Sequence, residues 1–419
     1  MRVRSLGVHS LIFRAHTSSR YSVAALLGSV EVDSRLQSLN IHAPIDSPDS
    51  LIRQGIGHGN VVVAHSVMST QTNRITHEVR HIKKEFDNRV ILVAGGPHAS
   101  ARPSELIEMG FDYVVIGEGE SSFRELLYQL LNDSDPISVP GVVSKDSDTF
   151  PLPKSLPRIT LDDYPPFALG MNIVGPIEVT RGCPYGCKFC ATPFLTGGVV
   201  RHRSVDSVVH WLRKAVNERG FRRTWFLSPN ALCYGGRGRR VVMDQLTLLL
   251  KETKSVEGLD LFFGSFPSEV RPEFVTSEIL EMFRQYVSNR TLQIGLQSGS
   301  DSVLENANRH HTVQEGLDAI DIAIDTGFIP HVDMIFGLPG ETEKDVEASL
   351  QICEDLASMK ANIHGHVFMP LPGSEWESMP AGQLSDRTRQ ILGEFSRKKI
   401  MTGSWSHQES LGKNLEGNQ

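Results

Sequence analysis

The sequence predicts an α/β fold built from two successive βα series. The first reads as an open, doubly wound parallel sheet of Rossmann-like type, and the second as a partial (β/α)6 TIM-barrel. Three observations carry this: strand-sized apolar runs alternate with helical stretches through both halves, a Pro-rich segment parts the halves, and the second series sets six strands against five helices. So many right-handed crossovers suit a closing barrel better than a small sheet. The 419 residues fit two to three domains, with expected bounds of 1–135, a linker over 136–170, a core over 171–375 and a helical tail over 376–419.

In the first half, Ser10 to Phe13 reads as a strand and Tyr21 to Leu27 as a helix, with Ser18 or Ser19 as its N-cap. That reading is preferred over a transit peptide, which the acid-free start with Arg2, Arg4, Arg14 and Arg20 also allows. Strands at Val61 to Val63, Val90 to Ala94 and Tyr113 to Ile116 alternate with helices at Thr76 to Phe86, Ser104 to Met109 and Glu120 to Leu131. Each strand runs out into small or polar residues, His65-Ser66, Gly95-Gly96-Pro97-His98 and Gly117-Glu118-Gly119-Glu120. Ligands of open parallel sheets bind at the carboxyl ends of the strands, so these loops are expected to line one site.

Prolines from Pro136 to Pro166 mark the linker, with one short strand near Val142-Val143. Strands then follow at Ile177 to Thr180, Thr224 to Leu227, Leu259 to Phe263, Thr291 to Gly295, Ile329 to Phe336 and Ala361 to Phe368. The intervening helices are Val205 to Asn217, Arg240 to Lys251, Ser277 to Gln285, Val313 to Thr326 and Glu343 to Met359. The tail is helical near Arg387 to Lys399 and polar beyond.

Apolar residues make up 40% of the chain, enough for ordinary cores and against disorder. The net charge of -7 and the absence of a basic stripe argue against a nucleic-acid partner. No apolar run approaches a membrane span, and a cytoplasmic protein is expected. Of five cysteines, Cys183, Cys187 and Cys190 fall together on the loop after the first barrel strand, while Cys233 and Cys353 read as ordinary buried thiols.

The segment Gly182-Cys183-Pro184-Tyr185-Gly186-Cys187-Lys188-Phe189-Cys190 spaces its thiols C-x3-C-x2-C. Closed zinc sites use four protein ligands, and here a fourth is missing locally. Three thiolates on a [4Fe-4S] cubane leave one iron open to a small molecule, which is the favoured reading. Zinc with a remote Cys or His, and unligated thiols, remain as alternatives.

This loop, with an aromatic before its last Cys, resembles the cluster loop of the radical S-adenosylmethionine (SAM) superfamily. Ile294-Gly295-Leu296-Gln297-Ser298-Gly299-Ser300, Gly337-Leu338-Pro339-Gly340-Glu341-Thr342 and Met369-Pro370-Leu371-Pro372-Gly373-Ser374 resemble further segments of that family. The first half, through Ala94 to Ser100 and Asp112 to Glu120, resembles the cobalamin-binding domain found ahead of such cores. The resemblance implies three cofactors: a [4Fe-4S] cluster on Cys183, Cys187 and Cys190, SAM, and cobalamin. It implies SAM contacts at Phe189, Ser228, Asn230, Gln297 and Ser298, although the family's Gly-Gly-Glu is replaced here by Ser228-Pro229-Asn230. For cobalamin it implies Ser66, Ser69, Thr70, Gly95, Gly96, Gly117 and Glu118, with the corrin between the domains. The lower-ligand motif Asp-x-His-x-x-Gly is absent, and His98, like His65 and His77, has only a weak claim to that role.

A radical generator paired with a methyl carrier suggests C-methylation of an unactivated carbon, with Asp333 and Tyr234 as candidate catalytic residues and His331, His364 and His366 nearby. The substrate is expected to be a small molecule or a peptide or protein residue, such as the glutamine methylated in methyl-coenzyme M reductase, and an external electron donor is required. Cyclisation or rearrangement without methyl transfer is the alternative reaction. A corrinoid or redox sensor is the alternative outside catalysis.

Overall fold

The computed structural model describes residues 7–416, leaving aside the side chains of Asp87 and Glu416. The chain divides into two compact units, one running up to Pro176 with Phe194–Thr196, the other comprising Ile177–Pro193 and the chain from Gly197 onward.

In the first unit, β1 (Val8–Arg14), β2 (Asn40–His42), β3 (Asn60–Ser66), β4 (Val90–Gly95), β5 (Tyr113–Val115) and β6 (Val142–Val143) form one sheet in the order β2-β1-β3-β4-β5-β6. All pairs are parallel except β5 with β6. The order reverses between β1 and β3, the switch point at which a doubly wound sheet opens its crevice. Strands such as Val61-Val62-Val63 are apolar on both faces because each face meets helices: Val62 and Ala64 join Leu27, Phe123 and Leu127, while Val61 and Val63 join Ile75, Val79 and Ile82.

Sequence reading missed β2 and the helix Asp49–Ile56. It also took Gly95 to His98 as loop, whereas a short helix starts at Pro97, where a fixed φ suits the first helical position. The Pro-rich segment packs on this unit: Glu31 accepts from the N–H groups of Gly170 and Met171, at 2.7 and 3.3 Å.

In the second unit β7 (Ile177–Glu178), β8 (Thr180–Arg181), β9 (Arg201–His202), β10 (Arg223–Leu227), β11 (Asp260–Phe262), β12 (Thr291–Gln297), β13 (Ile329–Phe336), β14 (Asn362–Val367) and β15 (Met401–Thr402) follow. They build the parallel arrays β11-β10-β7 and β12-β13-β14-β15. Val270 links the β12 end, donating to Gln293 O and accepting from Gly295 N–H. The first expected strand is broken in two, since Thr180-Arg181 turns away to pair antiparallel with β9. The tail beyond Lys399, expected to be merely polar, adds β15 to the sheet and ends in the helix Trp405–Glu416.

Caps fix the helix starts that follow the strands. Thr312 with Glu315 and Thr342 with Asp345 form capping boxes, and Ser204 accepts from Ser207 N–H. On β12 to β14 the outward residues, Ile294, Leu296, Val332, Met334 and Ile363, are fully buried. The other face carries Gln293, Gln297, His331, Asp333, Asn362, His364 and His366. Packed barrels fill this face with branched apolar side chains, so its polarity marks a site.

Candidate functional site

The cysteine loop is held by backbone bonds from several elements. Cys183 N–H donates to Gly197 O, Lys188 N–H to Ala307 O, and Trp376 N–H to Lys188 O. Gly182 adopts φ 94, and a Cβ there would meet Val199 O at 2.2 Å, so only glycine lets the loop pass. Cys187 is buried, and burial pushes the Cys183 and Cys190 thiols up.

Among the described residues, the group of His, Cys, Asp or Glu donors that closes within 4.8 Å is Asp333, His364 and His366, and none of the three thiols belongs to it. Arg271 and Arg309 donate to Cys187 Sγ at 3.7 and 3.6 Å, and two cations there favour a thiolate over a thiol. Cys233 accepts from Asn230 Nδ2 at 3.0 Å, and burial pushes both it and Cys353 up to about 12, as expected of inert thiols.

Arg271 lies 3.7 Å over the Tyr185 ring and pairs with Glu273 at 2.7 Å, yet its Nη2 is buried without a partner. An orphan guanidinium donor beside a cluster cysteine suits a carboxylate such as that of SAM. Beside it, Gly295 forms a floor: a Cβ there would stand 2.6 Å from Gln297 Nε2, 3.2 Å from Arg309 Nη2 and 3.4 Å from Glu269 Oε2. Gln297 sits at a bulge with φ 81, a strained conformation of the kind kept at ligand sites. Low-dielectric surroundings and the charge of Asp333 push Glu269 up to about 6, although it keeps access to solvent. Burial works to raise the Asp333 carboxyl, but hydrogen bonds from His364, His366 and Gln293 outweigh it and hold it below the usual range.

The candidate SAM residues divide. Pro229 and Asn230 border one cleft with Cys183 and Tyr185, but Asn230 Oδ1 caps Leu232 N–H and Ser228 donates to Asn230 O at 2.8 Å. Ser298 is fully buried, its hydroxyl accepting from Ser300 N–H and facing Ser349. Phe189 packs against the apolar group of Leu338, Phe368 and Trp376. Tyr234, singled out as catalytic, is buried with its hydroxyl donating to Arg203 O at 2.7 Å, a structural post. Glu269, Arg271 and Arg309 were missed. The alternation Glu269-Val270-Arg271 beside a strand was the available signal.

In the first unit the β3 and β4 ends meet, Val67 N–H donating to Gly95 O and His98 N–H to Val67 O. Gly117 N–H donates to Ser100 Oγ at 2.9 Å, which brings in the loop after β5. Ser66 Oγ is buried without a partner, a donor left for a ligand, whereas Ser69 contacts His98 Nδ1 and Thr70 is exposed. A Cβ on Gly96, at φ 95, would lie 2.9 Å from Ser66 Oγ, so the glycine keeps this corner open. The Glu118 carboxylate is already taken by Ile159 N–H and Arg158. His98 is tied to Glu105 at 3.1 Å, and burial lowers it to about 4. His77 lies on the helix Thr72–Phe86, and His65 is fully buried on β3 itself.

Comparison with known proteins agrees with both halves. Residues 177–353 match the radical SAM superfamily and residues 5–127 the B12-binding domain. The solved radical SAM methyltransferase TsrM of Kitasatospora setae, with cobalamin and a [4Fe-4S] cluster, shares the fold at TM-score 0.69 and 16% identity, over 90% of this chain and 78% of that one. A probable threonylcarbamoyladenosine tRNA methylthiotransferase of Pyrococcus horikoshii is 23% identical over 91% of this chain and 85% of its own length. An uncharacterized methyltransferase of the same organism is 26% identical over 74% and 67%. No described helix is long and apolar enough to cross a membrane. The chain belongs to the radical SAM superfamily as an enzyme with a B12-binding domain ahead of its core, and its cofactors are a [4Fe-4S] cluster, SAM and cobalamin.

Proposed function

We propose that the chain is a C-methyltransferase acting on an unactivated carbon of a small molecule or a peptide residue, a glutamine among them. The observation that carries this is the pairing of a cobalamin-binding sheet with a barrel whose inner face is polar beside the cluster cysteines. When bound, the cluster with SAM supplies a 5'-deoxyadenosyl radical that removes a hydrogen atom, and methylcobalamin supplies the methyl group that a second SAM restores.

The chain's own residues position and shield. Cys183, Cys187 and Cys190 hold the cluster, Arg271 meets the SAM carboxylate, and Gln297 meets its ribose over the floor made by Gly295. Asp333 and Glu269 hold the polar part of the substrate. Ser66 and the glycines of the β4 and β5 ends receive cobalamin.

Methylthio transfer, the activity named for several relatives, is not favoured. Inserting sulfur consumes a sulfur source, and a second cluster of the same kind needs three further thiols. Outside the loop this chain has two cysteines, Cys233 and Cys353, both buried.

Reconstituted enzyme given SAM labelled as CD3, reductant and candidate substrates tests the reading. The label should appear on a carbon of the product, with S-adenosylhomocysteine and 5'-deoxyadenosine formed in equal amounts. Deoxyadenosine and a rearranged, unlabelled product would replace methylation by the cyclisation alternative.

A further inference from the structure

We propose that Asp333, His364 and His366 form a mononuclear site for a divalent ion of the zinc or ferrous type on the inner face of the barrel. The register of the sheet builds it. Asp333 and His364 are cross-strand partners on β13 and β14, and His366 follows two residues on, projecting from the same face. Asp333 Oδ1 stands 2.9 Å from His364 Nδ1 and 3.4 Å from His366 Nε2, and the two imidazole nitrogens are 3.1 Å apart. Donors bound at about 2.1 Å around one tetrahedral ion stand about 3.4 Å apart, so small side-chain movements suffice.

Without an ion, protons hold this cluster together. Gln408 Oε1 accepts from Val367 N–H at 3.0 Å, so its Nε2 donates to His366 Nδ1 at 3.2 Å. The His366 proton therefore sits on Nε2, pointing at both Asp333 Oδ1 and His364 Nδ1. With His364 protonated on Nδ1, both imidazoles donate to Asp333 Oδ1, at 2.9 and 3.4 Å.

A cation takes the place of these two protons, with all three atoms offering it lone pairs. The His366 proton moves to Nδ1, where the Gln408 oxygen accepts it in place of the Val367 N–H, the outer contact that metal-binding imidazoles ordinarily make. Gln293, donating to Asp333 Oδ1 at 2.6 Å, fixes the carboxylate.

Two imidazoles and one carboxylate suit zinc or ferrous ion, and three protein ligands leave a position open. That position faces the polar lumen, so its ligand is a substrate oxygen or nitrogen: a hydroxyl, carboxylate or amine held in place beside the radical. The ion is separate from the cluster, and its binding does not depend on the reaction catalysed; its substrate role rests on the proposed function, Asp333 then holding the polar part of the substrate through the ion.

Zinc serves as the probe, since it outcompetes ferrous ion at such ligand sets. Cluster-reconstituted protein is incubated with zinc chloride, desalted, and assayed for zinc, iron and sulfide. Wild type should keep about one zinc per chain in addition to its cluster iron. The double variant His364→Ala, His366→Ala should lose that zinc while iron and sulfide stay at the wild-type level. Asp333→Asn, nearly isosteric, should lose it too and decides the matter if the double variant does not fold. Wild type that keeps no zinc, keeps it only by losing cluster iron, or a folded Asp333→Asn variant that keeps it fully, overturns the site.

Discussion

The two units use parallel strands in opposite ways. In the first, β3 and β4 are apolar on both faces, so the interior is closed and only the strand ends are left to bind. In the second, β12 to β14 are apolar outward and polar inward, so the site runs down the interior itself. The difference separates two tasks. In the proposed function, strand-end loops of glycine and serine are suited to receive a large cofactor, while the polar inner face of the second unit is suited to a reacting centre.

Substitutions can be aimed at one side of this division at a time. The largest effect belongs to Cys183→Ala, Cys187→Ala or Cys190→Ala: iron content and deoxyadenosine formation should both be abolished, while corrinoid binding by the first unit persists. Next is Gly295→Ala, whose methyl would strike Gln297 Nε2. Because an ångström of misplacement in a site costs about a hundredfold in rate, deoxyadenosine formation should fall by about that factor with the cluster intact.

Gly96→Ala probes the other side. Positive φ and a Cβ 2.9 Å from Ser66 Oγ make the change strained, at about 1–3 kcal/mol. Corrinoid affinity, measured by equilibrium dialysis, should drop, and corrinoid-free deoxyadenosine formation should not.

The smallest effect concerns acid. His65 is fully buried, with no hydrogen-bond partner on either ring nitrogen, and burial lowers it to about 3. The unfolded chain takes up its proton near pH 6.5 and the fold refuses it until about pH 3, so stability falls as pH drops through that window. The loss is about 1.4 kcal/mol per pH unit. His65→Leu should flatten this dependence in denaturant titrations between pH 7 and 5. An unchanged slope would mean that His65 is not the group excluded from protonation.

Much of this was legible in the chain because periodicity reports burial. Ile329–Phe336 was read to the residue, since its apolar positions alternate over eight residues, and the cysteine spacing named its own chemistry. β2 was not legible, because Asn40-Ile41-His42 offers one apolar residue and is held by pairing with β1. The tail strand Met401–Thr402 is likewise defined by its partner, β14. For the site, sequence shows which residues end a strand but not which way they face. Tyr234 looked available and is tied to Arg203 O, while Glu269 and Arg271, outside any predicted element, stand beside Gly295 and Cys187. His364 and His366 become a cluster with Asp333 only through the β13–β14 register.

The division of labour is tested most directly by comparing corrinoid-free and corrinoid-loaded enzyme, both with full clusters, SAM, reductant and substrate. The corrinoid-free enzyme should still make 5'-deoxyadenosine and no S-adenosylhomocysteine, and loading should bring the two products to equal amounts. Equal S-adenosylhomocysteine formation with and without corrinoid, or none in either state, would contradict the account.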